Sequence, residues 1–344
     1  MAPAWQLSST PPDRWHEIVA SLGGGFFHSP SGLSAGAPRG EPVFALRLDQ
    51  NQVSGAAIGV RTRCRLSLVA RHGYFPSLPL LAGGADPAEG TESLVAALRS
   101  AGLLELIFDS FDAPWSAAPL TFGRPGKQRR EYLVDTSPAP EQLKSSFGST
   151  HRRHLNRGER AGWSFAMEDG PAAIQIMDQV QDSAAERAAR RDDGFATGGA
   201  AALLPHLSTG PLGAEGVRVF VSREGDAVLS AALVGWYAGR AFYVLGGSTP
   251  AGYQASASVW LHWKIMLALK ETGVRVYNFG GAPVDAAEPG NPAHGLHRFK
   301  TGFSPREELR AGVTCEFGTM HRLGHQLLAR IRDRAAGSTS SGAA

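Results

Sequence analysis

Between Gly216 and Ser248, apolar and β-branched residues crowd into the runs Val217 to Ser222, Val228 to Tyr237 and Ala241 to Leu245. Glu224-Gly225-Asp226 and Ala238-Gly239-Arg240 separate them, and a glycine in so short a break is a hairpin signal. The pattern predicts an antiparallel meander. The period then changes. Val259, Trp260, Trp263, Met266, Leu267 and Leu269 recur as on one face of a helix from Ser256 to Thr272, which Gly273 stops. Val274 to Phe279 returns to strand character and ends at Gly280-Gly281.

The first half repeats this order of elements with little residue identity. Val43 to Leu48, Val53 to Arg61 and Cys64 to Ala70 read as strands, Thr91 to Ala101 as a helix stopped by Gly102, and Leu104 to Asp109 as the closing strand. The offsets between matching elements agree: 174 residues from Val43 to Val217 and 170 from Leu104 to Val274. Each copy has a sheet face to cover and needs its own core. The expected class is α/β (α+β), two tandem units, each a mostly antiparallel mixed sheet flanked by helices. Residues 1–145 are expected to form the first domain, completed by 305–335, and residues 146–304 the second. The Ser/Gly/Ala tail 336–344 is expected to be disordered. Between the copies, Pro138 to Gly148 and Ser149 to Ala161 read as helices, Trp163 to Met167 as a strand, and Pro171 to Asp193 as a longer helix. Gly318 to Arg334 reads as a basic terminal helix.

A length of 344 residues fits two domains, and 43% apolar with 19% charged residues is ordinary globular composition. No stretch approaches the ~18 apolar residues of a spanning helix, so no integral membrane segment is expected and a cytoplasmic location is. Cys64 and Cys315 are too few for a disulfide framework or a Cys-rich metal site. Charge is uneven. From Arg124 to Arg160 nine basic residues face four acidic ones, a net +5 that leaves −2 for the rest of a chain totalling +3. That asymmetry favours a local polyanion contact. The chain lacks Walker, His-Glu-x-x-His and Cys-x-x-Cys motifs, so a metal mechanism has no signal. His294 and His297 form a close pair without a third ligand, and no metal or bound cofactor is expected.

The informative segments are Val276-Tyr277-Asn278-Phe279-Gly280-Gly281, then Gly295-Leu296-His297-Arg298-Phe299-Lys300-Thr301-Gly302-Phe303, and upstream Ser149 to Arg157 with its His and Arg residues. Together they resemble the FemABX family of non-ribosomal aminoacyl-tRNA-dependent transferases, most strongly from about Ser146 to Phe303. The resemblance implies two fused GNAT-like units, an aminoacyl-tRNA co-substrate and an amine acceptor, either a peptidoglycan precursor or a soluble secondary metabolite. It also implies roles for residues. Lys300 is the catalytic cation aimed at the carbonyl oxygen, with Phe299 beside the donor's aminoacyl end or terminal adenosine. Asn278 stands where members often have Asp, which puts a base there in doubt, and Asp109 is the fallback base. Arg152, Arg153, Arg157 and Arg160 are candidates for tRNA phosphates. Arg298, Gly280, Gly281, Tyr253 and Arg39 are candidates for substrate contacts, with Arg14 beside Arg39 for a phosphorylated acceptor.

Two further readings stay open. An ordinary GNAT enzyme would use acyl-CoA, held by an Arg/Gln-x-x-Gly-x-Gly/Ala loop whose amides cradle a pyrophosphate. Here the corresponding Gly247 to Ala257 lacks that pattern and Pro250 removes an amide, which favours the tRNA donor. The other alternative is a non-catalytic RNA- or partner-binding module on the same scaffold. The amino acid transferred, the acceptor and the oligomeric state are not encoded in any recognisable motif.

Overall fold

The strands of the predicted meander are buried without alternation, over Gly216 to Ser222 and Leu229 to Tyr237, as strands covered on both faces are. A computed structural model describes residues 3–36, 40–63, 71–116, 120, 122–189 and 206–317. Its strands are β1 (Ala4–Ser8), β2 (Glu41–Asp49), β3 (Gln52–Arg63), β4 (Arg71–Phe75), β5 (Leu80–Leu81), β6 (Leu103–Phe108), β7 (Arg124–Asp135), β8 (Ser164–Glu168), β9 (Gly216–Glu224), β10 (Ala227–Tyr237), β11 (Arg240–Ser248), β12 (Val276–Ala282) and β13 (Arg306–Glu316). The helices are α1 (Trp15–Ser21), α2 (Pro30–Gly36), α3 (Pro87–Ser100), α4 (Pro140–Ser146), α5 (Ser149–Ala161), α6 (Gly170–Ala189), α7 (Pro250–Ala255), α8 (Ala257–Glu271) and α9 (His294–Thr301).

One continuous sheet runs β1-β2-β3-β4-β6-β13-β7-β12-β11-β10-β9-β8, with β5 paired to β3. The order reads alike from either end. An antiparallel meander leads on each side to one parallel pair, β4 with β6 and β11 with β12, and then to an antiparallel partner. The duplication is thus a near-symmetric sheet whose halves meet at β13 and β7. Those central strands are exchanged. β13, from the C-terminal end, lies against β6, while β7 lies against β12. The cores follow this pairing. Val313 and Cys315 join the first cluster with Leu94, Leu98 and Phe108, and Tyr132 and Val134 join the second with Trp236, Trp260 and Tyr277.

The meander, the helices α3, α5 and α8, and the strands β6, β8 and β12 lie where the hydrophobic pattern places them. The expected strand Cys64 to Ala70, residues 190–193 of the long helix, the terminal helix from Gly318, the tail and Arg39 lie outside the described residues. β1, α1, β7 and β13 are findings of the structure. β7 and β13 escape a hydrophobic scan because their charges pair across strands: Arg130 with Glu307 at 3.0 Å and Arg124 with Glu316 at 2.9 Å.

Helix α8 is buried nearly all round, because α5 covers the side turned away from the sheet. Gly158 makes this possible. A Cβ there would sit 2.5 Å from the Trp260 ring, so only glycine lets the helices approach so closely. Trp260 Nε1 then donates to Glu159 Oε1 at 3.1 Å. On the opposite face Phe26 and Phe27, from the N-terminal half, pack with Ala231, Leu233 and Phe242 beside α6. Among the described residues no helix is long and apolar enough to cross a membrane.

Candidate active site

The two parallel pairs differ in one respect. β4 follows β6 from Arg71 to Phe75, whereas β11 and β12 are registered only over Arg240–Phe242 and Val276–Asn278. Both strands are deflected just past that point. In β11 the register against β10 slips at Leu233/Val234, which leaves Val244 as an extra residue. In β12 the slip lies between Asn278 and Gly281, and Gly280 takes φ +69°. A bulge bends its strand, and bulges at the same level on facing edges open a window in the sheet.

A cavity of about 810 Å³ fills the window, within the range of small-molecule sites. Its lining comes from both faces: His262 of α8 and Phe299 and Lys300 of α9 on one side, and Ala184 and Arg187 of α6 with Phe111 on the other. Phe111 follows β6, so the first half contributes to a site built mainly by the second.

Lys300 is 3% exposed. Its Nζ donates to the Gly281 carbonyl at 2.8 Å and stands 5.4 Å from the centre of the Tyr132 ring. Burial lowers its pKa to about 7, against the opposing pull of Glu131. The surrounding motif holds this lysine in place. His151 Nε2 donates to the Phe299 carbonyl at 2.9 Å, tying α9 to α5. The His151 ring covers Gly302, where a Cβ would lie 2.1 Å from it, and meets Phe303 edge-on at 4.5 Å. Burial lowers the His151 pKa to about 4, so the ring is neutral. Gly302→Ala is expected to push the ring away at a cost of about 1–3 kcal/mol in urea unfolding. Gly295→Ala, inside α9 and meeting open space, is the control and should be neutral or stabilising.

Beneath the window lies a buried polar network. Asn278 Nδ2 donates to Asp112 Oδ1 and to Glu131 Oε2, both at 2.9 Å, and its Oδ1 accepts from Gly280 N at 2.8 Å. Arg240 holds both Asp112 oxygens, at 3.1 and 2.5 Å. Burial, then the neighbouring Asp112, raises the pKa of Glu131. Asn278 is therefore no base. It is an amide donor that separates two carboxylates and shapes the turn whose next carbonyl holds Lys300. Asp109 likewise has a structural setting. It pairs with Arg129, accepts from Ser110 N at 2.9 Å and from the Tyr74 hydroxyl at 3.5 Å, and does not line the cavity.

Of the other sequence candidates, Gly280, Gly281, Phe299 and Tyr253 line the cavity with Lys300. Tyr253 stands at the rim, 54% exposed, with the Arg187 guanidinium 4.7 Å from its ring centre. Arg298 is exposed and outside the lining. Arg152 donates to the Ser145 carbonyl at 3.0 Å and to that of Phe147, capping α4. Arg153, Arg157 and Arg160 are exposed on α5, away from the lining. Arg14 pairs with Glu17 in the first half. Sequence reasoning missed Asp112, Glu131 and Arg240, which are far apart in the chain, and His262, which reads as one more position of an apolar helix.

The segment that opens α7 has little to offer an anion. Thr249 N donates to Leu229 O at 3.0 Å, Tyr253 N to Thr249 O at 2.9 Å and Gly252 N to Thr249 Oγ1 at 3.2 Å, and Pro250 has no N–H. Of the five backbone nitrogens from 249 to 253, four are occupied or lack hydrogen. That leaves the Ala251 amide alone of the free amides that make a helix start an anion site.

Residues 145–300 match the family model described as an acetyltransferase (GNAT) domain. Among solved structures the chain is similar to FemX, at 13% identity and a TM-score of 0.66, covering 94% of this chain and 99% of that one. It is also similar to L-PGS from Bacillus licheniformis, at 16% identity and 0.49, covering 94% and 97%. A third is the C-terminal domain of a putative lysylphosphatidylglycerol synthetase from Agrobacterium fabrum, at 21% and 0.47, covering 78% and 84%. No curated protein matches. The chain has a FemABX-like tandem GNAT fold with an acyltransferase-type domain in its second half.

Proposed function

We propose that this protein is an aminoacyltransferase that moves an amino acid from aminoacyl-tRNA to an amine of an acceptor, a cell-wall precursor or a soluble metabolite, forming an amide. The observation that carries this reading is the buried Lys300 ammonium at a window open to both faces of the sheet. Donor and acceptor can then meet from opposite sides. The acceptor nitrogen attacks the ester carbonyl, and the oxyanion that forms faces Lys300. Collapse breaks the bond to the ribose oxygen, which takes up the proton lost by the amine. No covalent enzyme intermediate is needed, since the ester is already activated.

The start of α7 supports this choice of donor. A pantetheine arm would fit between the separated strands, but its pyrophosphate would meet Pro250 and amides already bonded within the fold. A tRNA places its phosphates outside the window. Arg153, Arg157 and Arg160 are exposed and available for such contacts, and each contact steepens the salt dependence of binding.

The test is incubation with a fully charged tRNA pool and cell extract, followed by a mass search for amide products. Products that disappear after ribonuclease treatment are expected, with thermal stabilisation by tRNA and none by CoA. Transfer that survives ribonuclease and requires acyl-CoA overturns the donor assignment.

A further inference from the structure

We infer that the acyl group brought to Lys300 carries a neutral, apolar side chain, aromatic ones included, and that cationic and anionic side chains are refused. This rests on the transfer reading above and adds the class of group transferred. Phe242, Tyr243, Val244, Phe279 and Phe299 make up much of the inner wall, with Phe111 on the far side of the window. His262 completes it as a neutral ring. Its Nδ1 is hydrogen-bonded to the Tyr277 hydroxyl at 2.8 Å, and burial lowers its pKa to about 3.

Charged groups are distributed to match. Among the described residues, Asp285 is the one carboxylate of the lining, and it is exposed. Glu131 lies beneath, bonded to Asn278 and to Asp112 N, outside the lining. A lysine or arginine side chain would have to bury a second cation near Lys300 with no carboxylate inside to pair with, and an unpaired buried charge is costly. The lining's other cation, Arg187, stands at the rim over the Tyr253 ring, so an aspartate or glutamate side chain that reaches the inner wall would find Lys300 itself. Pairing there in the ground state withdraws the ammonium from the oxyanion that it serves, so such a donor binds without reacting. An apolar side chain gains from the wall and leaves Lys300 free, while the donor's α-amino group points to the mouth where Asp285 stands.

Two sets of probes separate this inference from the donor assignment. The first is thermal shift with the methyl esters of phenylalanine, leucine, lysine and glutamate. The second is filter binding and single-turnover transfer with one tRNA body charged with each of these amino acids. Phenylalanine and leucine esters are expected to stabilise the protein. The matching charged tRNAs should bind roughly tenfold or more tighter than uncharged tRNA, the discrimination that apolar contacts supply. Lysyl-tRNA should bind no better than uncharged tRNA, and glutamyl-tRNA should not be turned over. Lysine or glutamate donors used as well as phenylalanine overturn the inference. Esters that discriminate as stated, with no preference for charged tRNA, leave the pocket assignment standing and remove the tRNA donor. Esters and charged tRNAs that all fail to bind remove both.

Discussion

Lys300→Met is expected to lower turnover by about 100- to 1000-fold, the usual loss when one oxyanion donor is removed, and to raise the melting temperature. The two effects have one cause. The ammonium is buried against the Gly281 carbonyl, and burial holds its pKa at about 7 instead of 10.5. Each unit of such a shift corresponds to about 1.4 kcal/mol, so carrying the charge in the fold costs on the order of a few kcal/mol at neutral pH. Methionine has a similar length and no charge to desolvate. The sign of the pH dependence follows. Between about 7 and 10.5 the unfolded chain binds the proton and the folded one does not, so wild-type stability rises with pH across that window. Lys300→Met should flatten that rise in urea unfolding. Activity should move the other way: in the proposed mechanism the ammonium is the working form, so kcat/KM falls as pH climbs through about 7. A variant with turnover within threefold of wild type, or a wild-type profile that rises through this pH, would show that Lys300 is not an electrostatic catalyst.

How much of this was legible beforehand depends on whether a residue acts locally or across the sheet. Val217 to Leu245 carries its meander in its own periodicity, and the aromatic residues of the motif around Lys300 are local as well. The glycine of that motif is not. Gly302 is required by His151, a contact between α9 and α5 that no spacing rule encodes. The central strands were hidden for a related reason. Arg129, Glu131 and Arg310 read as surface residues, yet they are buried within β7 and β13 among opposite charges. At Asn278 the resemblance puts a base in doubt but does not reveal the neighbours. Its hydrogen-bond partners are Asp112 and Glu131, 166 and 147 residues away in the chain, which no local pattern encodes. Charge patterning along a strand cannot distinguish a solvated arginine from one paired across the sheet, because both have the same local sequence.

That network yields the second large effect. Asn278→Asp is expected to destabilise the fold by about 3–5 kcal/mol at pH 7.5, the scale of an uncompensated buried charge. The substitution removes both hydrogen bonds donated by Nδ2 and sets a third carboxylate against Asp112 and Glu131, with Arg240 already committed to Asp112. Like charges so close cannot all ionise, so the trio retains a proton and its folded-state pKa lies above the unfolded value. An acid raised in this way favours unfolding at pH above its unfolded pKa, and that penalty fades as pH falls through the raised folded value. The deficit relative to wild type should therefore be largest near pH 7.5 and shrink toward pH 5. Asn278→Ala removes the donors without adding charge, and its deficit should change less with pH. The catalytic consequence is separate. Oδ1 of Asn278 fixes Gly280 N, and the next residue's carbonyl receives Lys300, so Asn278 is a positioning residue whose loss should lower kcat more than it raises KM. Asn278→Asp with wild-type stability at pH 7.5, or with a deficit that does not shrink on acidification, would mean that the two carboxylates do not share one buried field.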